Sequence, residues 1–388
     1  MKKLVSFAAL FIAASFVGNV AAQKRDVDLK NRDATPLKGT YFPAAKPGPG
    51  VVLLHMCNSN RKVWENLAGM LNARGIHVMT LDYRGFGESG GTRWNDLPPN
   101  QRQGVAEGQF PGDVEAAFEY LVSQPGVDRD RIGAAGGSCG VNQAVQLARR
   151  KREVKTLVLL AGGANQFGTD FLTTASWLPI MSVAARDDGN AVENMRWIVG
   201  FSSNPANVFK EYDKGGHGTD LFPVHKELEP AIADWFEKYL IKSPPTPSLS
   251  PGEPGPSAKL TAQLDEPGGA AKITEMIREA KKAGRTMIVP PEGAINAAGY
   301  QQLQGGQVQA AIATFTLNVE AYPNSCNTYD SLSDAYLQAG DRAKALEYAQ
   351  KAIEAIARDT TTPDGFKQQV RQGAEAKIKQ LSGSAPKN

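Results

Sequence analysis

Short apolar runs rich in Val, Ile and Leu recur up to about residue 242, separated by stretches whose apolar residues fall three and four apart. The runs at 50–54, 76–81, 131–135, 154–160 and 180–184 read as buried strands, since they are too short for helices and apolar on both sides. The patterns at 64–73, 113–123, 142–150 and 190–199, with a last one at 229–240, read as helices with one apolar face. Such alternation predicts an α/β fold: a doubly wound, mostly parallel sheet covered on both sides. Ahead of the series, 28–30 and 37–42 are placed as an antiparallel edge hairpin.

The pattern changes after residue 243. Residues 244–269 are crowded with Pro, Gly and Ser and show no sustained period, so they read as a linker between a first domain, 23–243, and an all-α region, 270–388. In that region Gly306 and Gly340 stand 34 residues apart, and Leu303/Leu337, Ala311/Ala345 and Ile312/Leu346 recur at the same spacing. A 34-residue helical repeat resembles the tetratricopeptide family; an ordinary helical hairpin with coinciding small residues is the plainer alternative. Two repeats bury little on their own, so helices near 273–283 and 366–381 are expected to cap them. Through such repeats a protein or peptide partner is conceivable.

Residues 1–22 carry Lys2 and Lys3, an apolar stretch at 4–17 and the small residues Val20, Ala21 and Ala22, the pattern of a cleaved export signal. The stretch is shorter than the roughly 20 residues a spanning helix needs, which disfavours a membrane anchor. A periplasmic or secreted protein without a membrane span is the expectation. Forty-three Lys+Arg against 40 Asp+Glu give a formal charge of +3 with no long basic run, so a nucleic-acid partner is not expected. Three cysteines, Cys57, Cys139 and Cys326, are too few for a cysteine-stapled scaffold.

Candidate chemistry sits where the run at 131–135 gives way to the helix at 142–150. There Gly136-Gly137-Ser138-Cys139-Gly140 forms G-x-S-x-G, with glycines that let the chain turn sharply and lift the serine hydroxyl above the sheet edge. A serine hydroxyl needs a neighbouring base to act as a nucleophile. Of four histidines, His55 and His77 fall on strands and His225 reads as a surface residue, whereas His217 stands in the flexible Lys214-Gly215-Gly216-His217-Gly218. The orienting acid should follow the run at 180–184, where Asp188 is the choice, Asp187 the fallback and Asp170 a more distant candidate.

These stretches, with Val51-Val52-Leu53-Leu54-His55 and Leu81-Asp82-Tyr83-Arg84-Gly85-Phe86-Gly87-Glu88-Ser89, resemble the α/β-hydrolase superfamily over residues 23–241, nearest its dienelactone-hydrolase-like and small carboxylesterase branches. The resemblance implies Ser138 as nucleophile, His217 as general base and then acid, Asp188 as orienting carboxylate, and the N–H groups of Cys57 and Cys139 as an oxyanion hole. No metal or organic cofactor is implied. Met56 departs from the glycine usual after His55, and Ala184-Ala185-Arg186 from the His-Gly often found before the acid. Dienelactone hydrolases use a cysteine nucleophile, but the glycine frame puts position 138, not Cys139, at the elbow. If the Cys57 and Cys139 amides share one oxygen, a disulfide becomes feasible; two unlinked buried thiols are the expectation. Too few residues separate 160 from 181 for a large lid, and 92–109 is the one segment long enough to wall the site. The implied substrate is a soluble ester, lactone or short acyl compound. A peptidase of the same fold, and a non-catalytic protein working through the repeats, are the alternatives.

Overall fold

The computed structural model describes residues 23–248 and 250–382; the expected export signal lies outside them. Among the described residues eight strands form one sheet in the order β1-β2-β4-β3-β5-β6-β7-β8. They are β1 (Arg25–Lys30), β2 (Pro36–Phe42), β3 (Gly48–Leu54), β4 (His77–Leu81), β5 (Val127–Gly137), β6 (Val154–Leu160), β7 (Ile180–Ala185) and β8 (Val208–Tyr212). β1 and β2 form the expected antiparallel hairpin, with β2 antiparallel to β4, and all other pairings are parallel.

The central strands are apolar throughout because the period-2 alternation feeds two cores. Val52 and Leu54 of β3 and Leu157 and Leu159 of β6 enter one cluster; Val51, Leu53, Val158 and Leu160 enter the other. On one side pack α1 (Glu65–Ala73) and, near the end of the sheet domain, Leu228–Glu237. The other side carries α2 (Pro99–Gly108), α3 (Phe110–Ser123), α4 (Cys139–Arg150), α5 (Gln166–Thr174) and α6 (Ala191–Val199). A short α7 (Leu221–Val224) precedes the Leu228–Glu237 helix, α8. Each fully buried Val or Leu contributes about 1.5–3 kcal/mol relative to exposure, which ties the sequence pattern to the layered packing.

β8, α2 and α5 have no counterpart in the sequence reading. β8 is an edge strand of half-buried and exposed residues, and α2 buries no side chain, so neither shows an apolar face. The linker reading of 244–269 needs correction, since residues 256–265 form a helix, α9 (Pro256–Asp265). Pro256 starts it at a position where a missing N–H costs nothing, Leu260 is buried, and Ser257 N–H donates to Gly200 O at 2.9 Å. A side chain at Gly255 would collide with the Gly200 carbonyl. Prolines and glycines masked this short apolar stripe.

Beyond it lie α10 (Gly269–Lys282), α11 (Glu292–Gln304), α12 (Val308–Ala321), α13 (Cys326–Gln338), α14 (Arg342–Ile356) and α15 (Asp364–Ser382). The α11–α12 and α13–α14 pairs start 34 residues apart, and Gly306 and Gly340 close α11 and α13 in the same left-handed conformation, φ 75° and 79°. Ala311 and Ala345 are both fully buried, and Tyr300 Oη donates to Asp334 Oδ2 across the two pairs at 2.8 Å. α10 packs on α12, and α15 on α14. Among the described residues no helix is long and apolar enough to cross a membrane.

Candidate active site

The carboxyl ends of β3, β5, β6, β7 and β8 lie along one edge of the sheet, the edge where ligands collect in open α/β folds. β5 ends at Gly137, Ser138 follows with φ 53° and ψ −120°, and α4 starts at Cys139. This is a strained turn for a residue with a side chain, and the surroundings over-determine it. Ser138 N–H donates to Leu160 O at 2.9 Å, and side chains at Gly136 and Gly162 would collide with the Gly140 and Ser138 carbonyls. A Cβ on Gly140 would stand 2.5 Å from Leu54 O. The glycine frame therefore lets α4 start hard against the end of β3, with the half-buried Ser138 at the corner.

This contact predicts a stability difference. Gly140→Ala is expected to cost about 3 kcal/mol through overpacking, a fall of roughly 6–12 °C in the thermal midpoint of a domain this size. Gly163→Ala, where nothing lies within 4 Å, is expected to be neutral. Thermal unfolding followed by circular dichroism checks both, and equal midpoints for the two variants would contradict the packing argument.

After β7 the chain turns through Arg186, Asp187 and Asp188, and the two aspartates divide the work. Asp188 Oδ2 lies 2.7 Å from His217 Nδ1. Asp187 instead accepts from Gly215 N–H at 3.0 Å and Gly216 N–H at 3.1 Å, and these two bonds hold its carboxyl below the usual range. Asp188 is thus the partner of the imidazole, and Asp187 fixes the loop that carries it. Asp170 lies exposed on α5. The Asp188 hydrogen bond raises the His217 pKa above its ordinary 6.5, against the opposing pull of burial.

His217 sits between two fastened ends. On one side, His225 Nε2 donates to Lys214 O at 2.7 Å and its ring stacks on Tyr212 at 3.7 Å, so His225 braces the loop instead of standing free at the surface. On the other, Thr219 N–H points at Met56 Sδ, 3.3 Å away. Met56, the departure noted after His55, is buried between the elbow and the histidine loop: Cβ atoms added at Gly137 and Gly218 would both run into it. The same Gly137 Cβ would lie 3.7 Å from Thr219 Cγ2, which brings the His217 loop directly alongside the serine turn.

The other histidines are structural. His55 Nδ1–H donates to Met56 O at 2.6 Å while its Nε2 accepts from Tyr83 N–H at 3.2 Å, so the ring is neutral, and burial pushes its pKa down to about 4. This ring fastens the turn after β3 to the end of β4. His77 is packed against Tyr41, whose hydroxyl lies 2.7 Å from its Nδ1.

Cys57 and Cys139 form a disulfide, with Cα atoms 5.8 Å apart. The expectation of two free thiols is corrected: the turn after β3 and the first residue of α4 converge more closely than separate strand ends imply. Cys326 is a buried free thiol in the helical region. Cys57 also lines a cleft of about 450 Å³ together with Asn58, Asn60, Arg93, Trp94 and Asp96. Opposite β3, the loop after β4 is held by buried Asp82, which accepts from Arg61 N–H at 2.7 Å, Glu88 N–H at 3.0 Å and the Arg61 guanidinium.

Residues 45–196 match the family model described as serine aminopeptidase, S33. An uncharacterized protein of Mycobacterium tuberculosis is 38% identical over 127 residues, 32% of this chain and 41% of its own length. A 31.7 kDa protein of Escherichia coli, from the traX-finO intergenic region, is 28% identical over 180 residues, 43% of this chain and 58% of its own. This chain thus spans between two fifths and three fifths of these relatives. A Pyrococcus furiosus esterase aligns in structure over 56% of this chain and 93% of its own, at 18% identity and a TM-score of 0.45. The family match runs from the approach to β3 through the serine turn and α4 to α6; with the sheet described above, it gives the chain the α/β-hydrolase fold, followed by an all-helical region.

Proposed function

We propose that this chain is an exported serine hydrolase that cleaves ester, lactone or short acyl bonds through an acyl-enzyme. Ser138 Oγ attacks the carbonyl carbon as its proton passes to His217 Nε2, and the imidazolium so formed is stabilised by Asp188. The oxygen takes the negative charge between the N–H groups of Cys57 and Cys139; the latter, as the first residue of α4, has no carbonyl within its own helix to meet. His217 then gives its proton to the leaving group, and a water repeats the sequence to release the acid. The carrying observation is the 2.7 Å His217–Asp188 contact on a loop pressed against the serine elbow.

The cleft that adjoins the proposed site through Cys57 would receive a small polar part of the substrate more readily than a long acyl chain. Its wall is formed by Asn58, Asn60, Arg93 and Asp96, with Trp94 as a large apolar surface. The S33 match favours a second reading, cleavage of short peptides, since the same proton transfers serve an amine leaving group. The helical region is proposed as tetratricopeptide-like, presenting a face to a protein or peptide; in a non-catalytic protein it would be the working part. The test is covalent labelling by a fluorophosphonate, with the adduct mapped by mass spectrometry. Labelling at Ser138 that disappears in Ser138→Ala is expected, whereas a folded protein that never labels would sink the hydrolase reading. Comparing amino-acid p-nitrophenyl esters with p-nitroanilides separates esterase from peptidase.

A further inference from the structure

Along the turn that follows β3, packing thins over residues 57–60 before it resumes at buried Arg61. His55 and Met56 are buried, Cys57 is half-buried, and Asn58 is exposed. The backbone of Cys57 therefore stands at the edge of what the core can hold, and the disulfide to Cys139 takes over at that residue. The bond joins segments 82 residues apart in sequence. Its ends are the two residues whose N–H groups face the acyl oxygen in the mechanism above, on which this inference rests. Two donors from separate segments act together only when both lie about 2.7–3.1 Å from the developing oxyanion, and a misplacement of about 1 Å can cost on the order of 100-fold.

We propose that the Cys57–Cys139 disulfide is the positioning element of the oxyanion hole, so that turnover depends on the oxidation state of this pair. In the oxidised protein the bond fixes the Cys57 amide relative to α4. Reduction by a dithiol transfers two electrons and two protons: the S–S bond breaks, two protein thiols form, and the reductant closes to its own cyclic disulfide. The Cys57 turn is then held by the Ser59 N–H to Met56 O bond, 3.2 Å, by the burial of the residues before it, and four residues on by the Arg61 N–H to Asp82 bond, 2.7 Å, which leaves residues 57–60 as the stretch free to shift. Cys57 lines the cleft, so the bond is within reach of a small reductant, whereas Cys326 is buried. A chain made in a reducing compartment and moved to an oxidising one would gain full activity only on arrival.

The experiment uses the full chain carrying Cys326→Ala, so that redox changes belong to one pair. Kinetics with p-nitrophenyl acetate are measured before and after dithiothreitol, with the state confirmed by a mass gain of about two daltons. Reduction is expected to lower kcat about 10- to 100-fold with KM within about twofold, and reoxidation to restore it. Cys57→Ala/Cys139→Ala should match the reduced form and ignore the reductant; should that variant not fold, the reduced protein with an unchanged near-ultraviolet spectrum decides. A lower thermal midpoint with unchanged kcat would mean a merely structural bond and overturn the proposal, as would a mass showing no disulfide. If both redox forms label at Ser138 and turn over alike, the clamp alone fails; if neither labels, the hydrolase reading fails and takes the clamp with it.

Discussion

Ser138→Ala is expected to lower kcat for p-nitrophenyl acetate by about 10⁵–10⁶, which corresponds to roughly 7–8 kcal/mol of lost transition-state stabilisation. The substitution removes one oxygen at the corner of the β5–α4 turn and leaves its backbone in place, since Ser138 N–H remains bonded to Leu160 O. KM should change little, because the substitution removes one oxygen and leaves the surrounding walls in place. A residual rate about 10³-fold above that in water is expected from the N–H donors and from substrate positioning. Steady-state kinetics on protein free of wild-type carry-over make the measurement; retention of a few per cent of wild-type kcat would remove Ser138 from the chemistry.

The second large effect separates the two aspartates. Asp188→Asn is expected to reduce kcat by on the order of 10⁴, because an amide offers His217 Nδ1 no charge and allows the wrong tautomer. Asp187→Asn should cost only about 10- to 100-fold, since it loosens the loop at Gly215 and Gly216 without touching the imidazole. The pH profile distinguishes them further. His217 acts as a base only when neutral, and its pKa is raised, so wild-type kcat/KM should rise with pH through a midpoint above 6.5. In Asp188→Asn the largest raising influence is gone and burial is opposed only by the weaker pull of Asp220, so the midpoint should move down; in Asp187→Asn the hydrogen bond to Asp188 remains and the midpoint should stay nearly where it was. A reversed order of the two variants, in rate or in midpoint, would exchange their roles.

The sheet was legible in the sequence wherever both faces of a strand are covered, as in β3 and β6, because a continuous apolar run leaves little else to build. β8 and α2 were not, because half-exposed segments mix residue types and lose their period. The serine turn was legible because its chemistry demands glycines at fixed offsets, and those glycines, Gly136 and Gly140, are the ones pinned against the Gly140 carbonyl and Leu54 O. The acid could be narrowed only to neighbouring residues. Choosing Asp188 over Asp187 depends on how the turn after β7 rotates, which becomes visible in the hydrogen bonds to Gly215, Gly216 and His217. The roles of Met56 and His225 were hidden for a related reason: each acts on a loop brought to it by the fold, Met56 from 163 residues away. The disulfide was raised by a distance argument and then set aside, since its formation depends on side-chain directions that a linear pattern does not carry.

The helix α2 buries none of its side chains, yet it continues from residues 93–96, which wall the cleft. Away from Trp94, Val105 and Ala106, which pack against the core, amino-acid changes there carry little folding penalty, while the groups proposed to make and break bonds are anchored on strand ends that tolerate few. Selection can thus retune which molecules are admitted without disturbing the reaction centre, and laboratory diversification confined to exposed positions of residues 95–104 should yield variants of altered preference and intact expression.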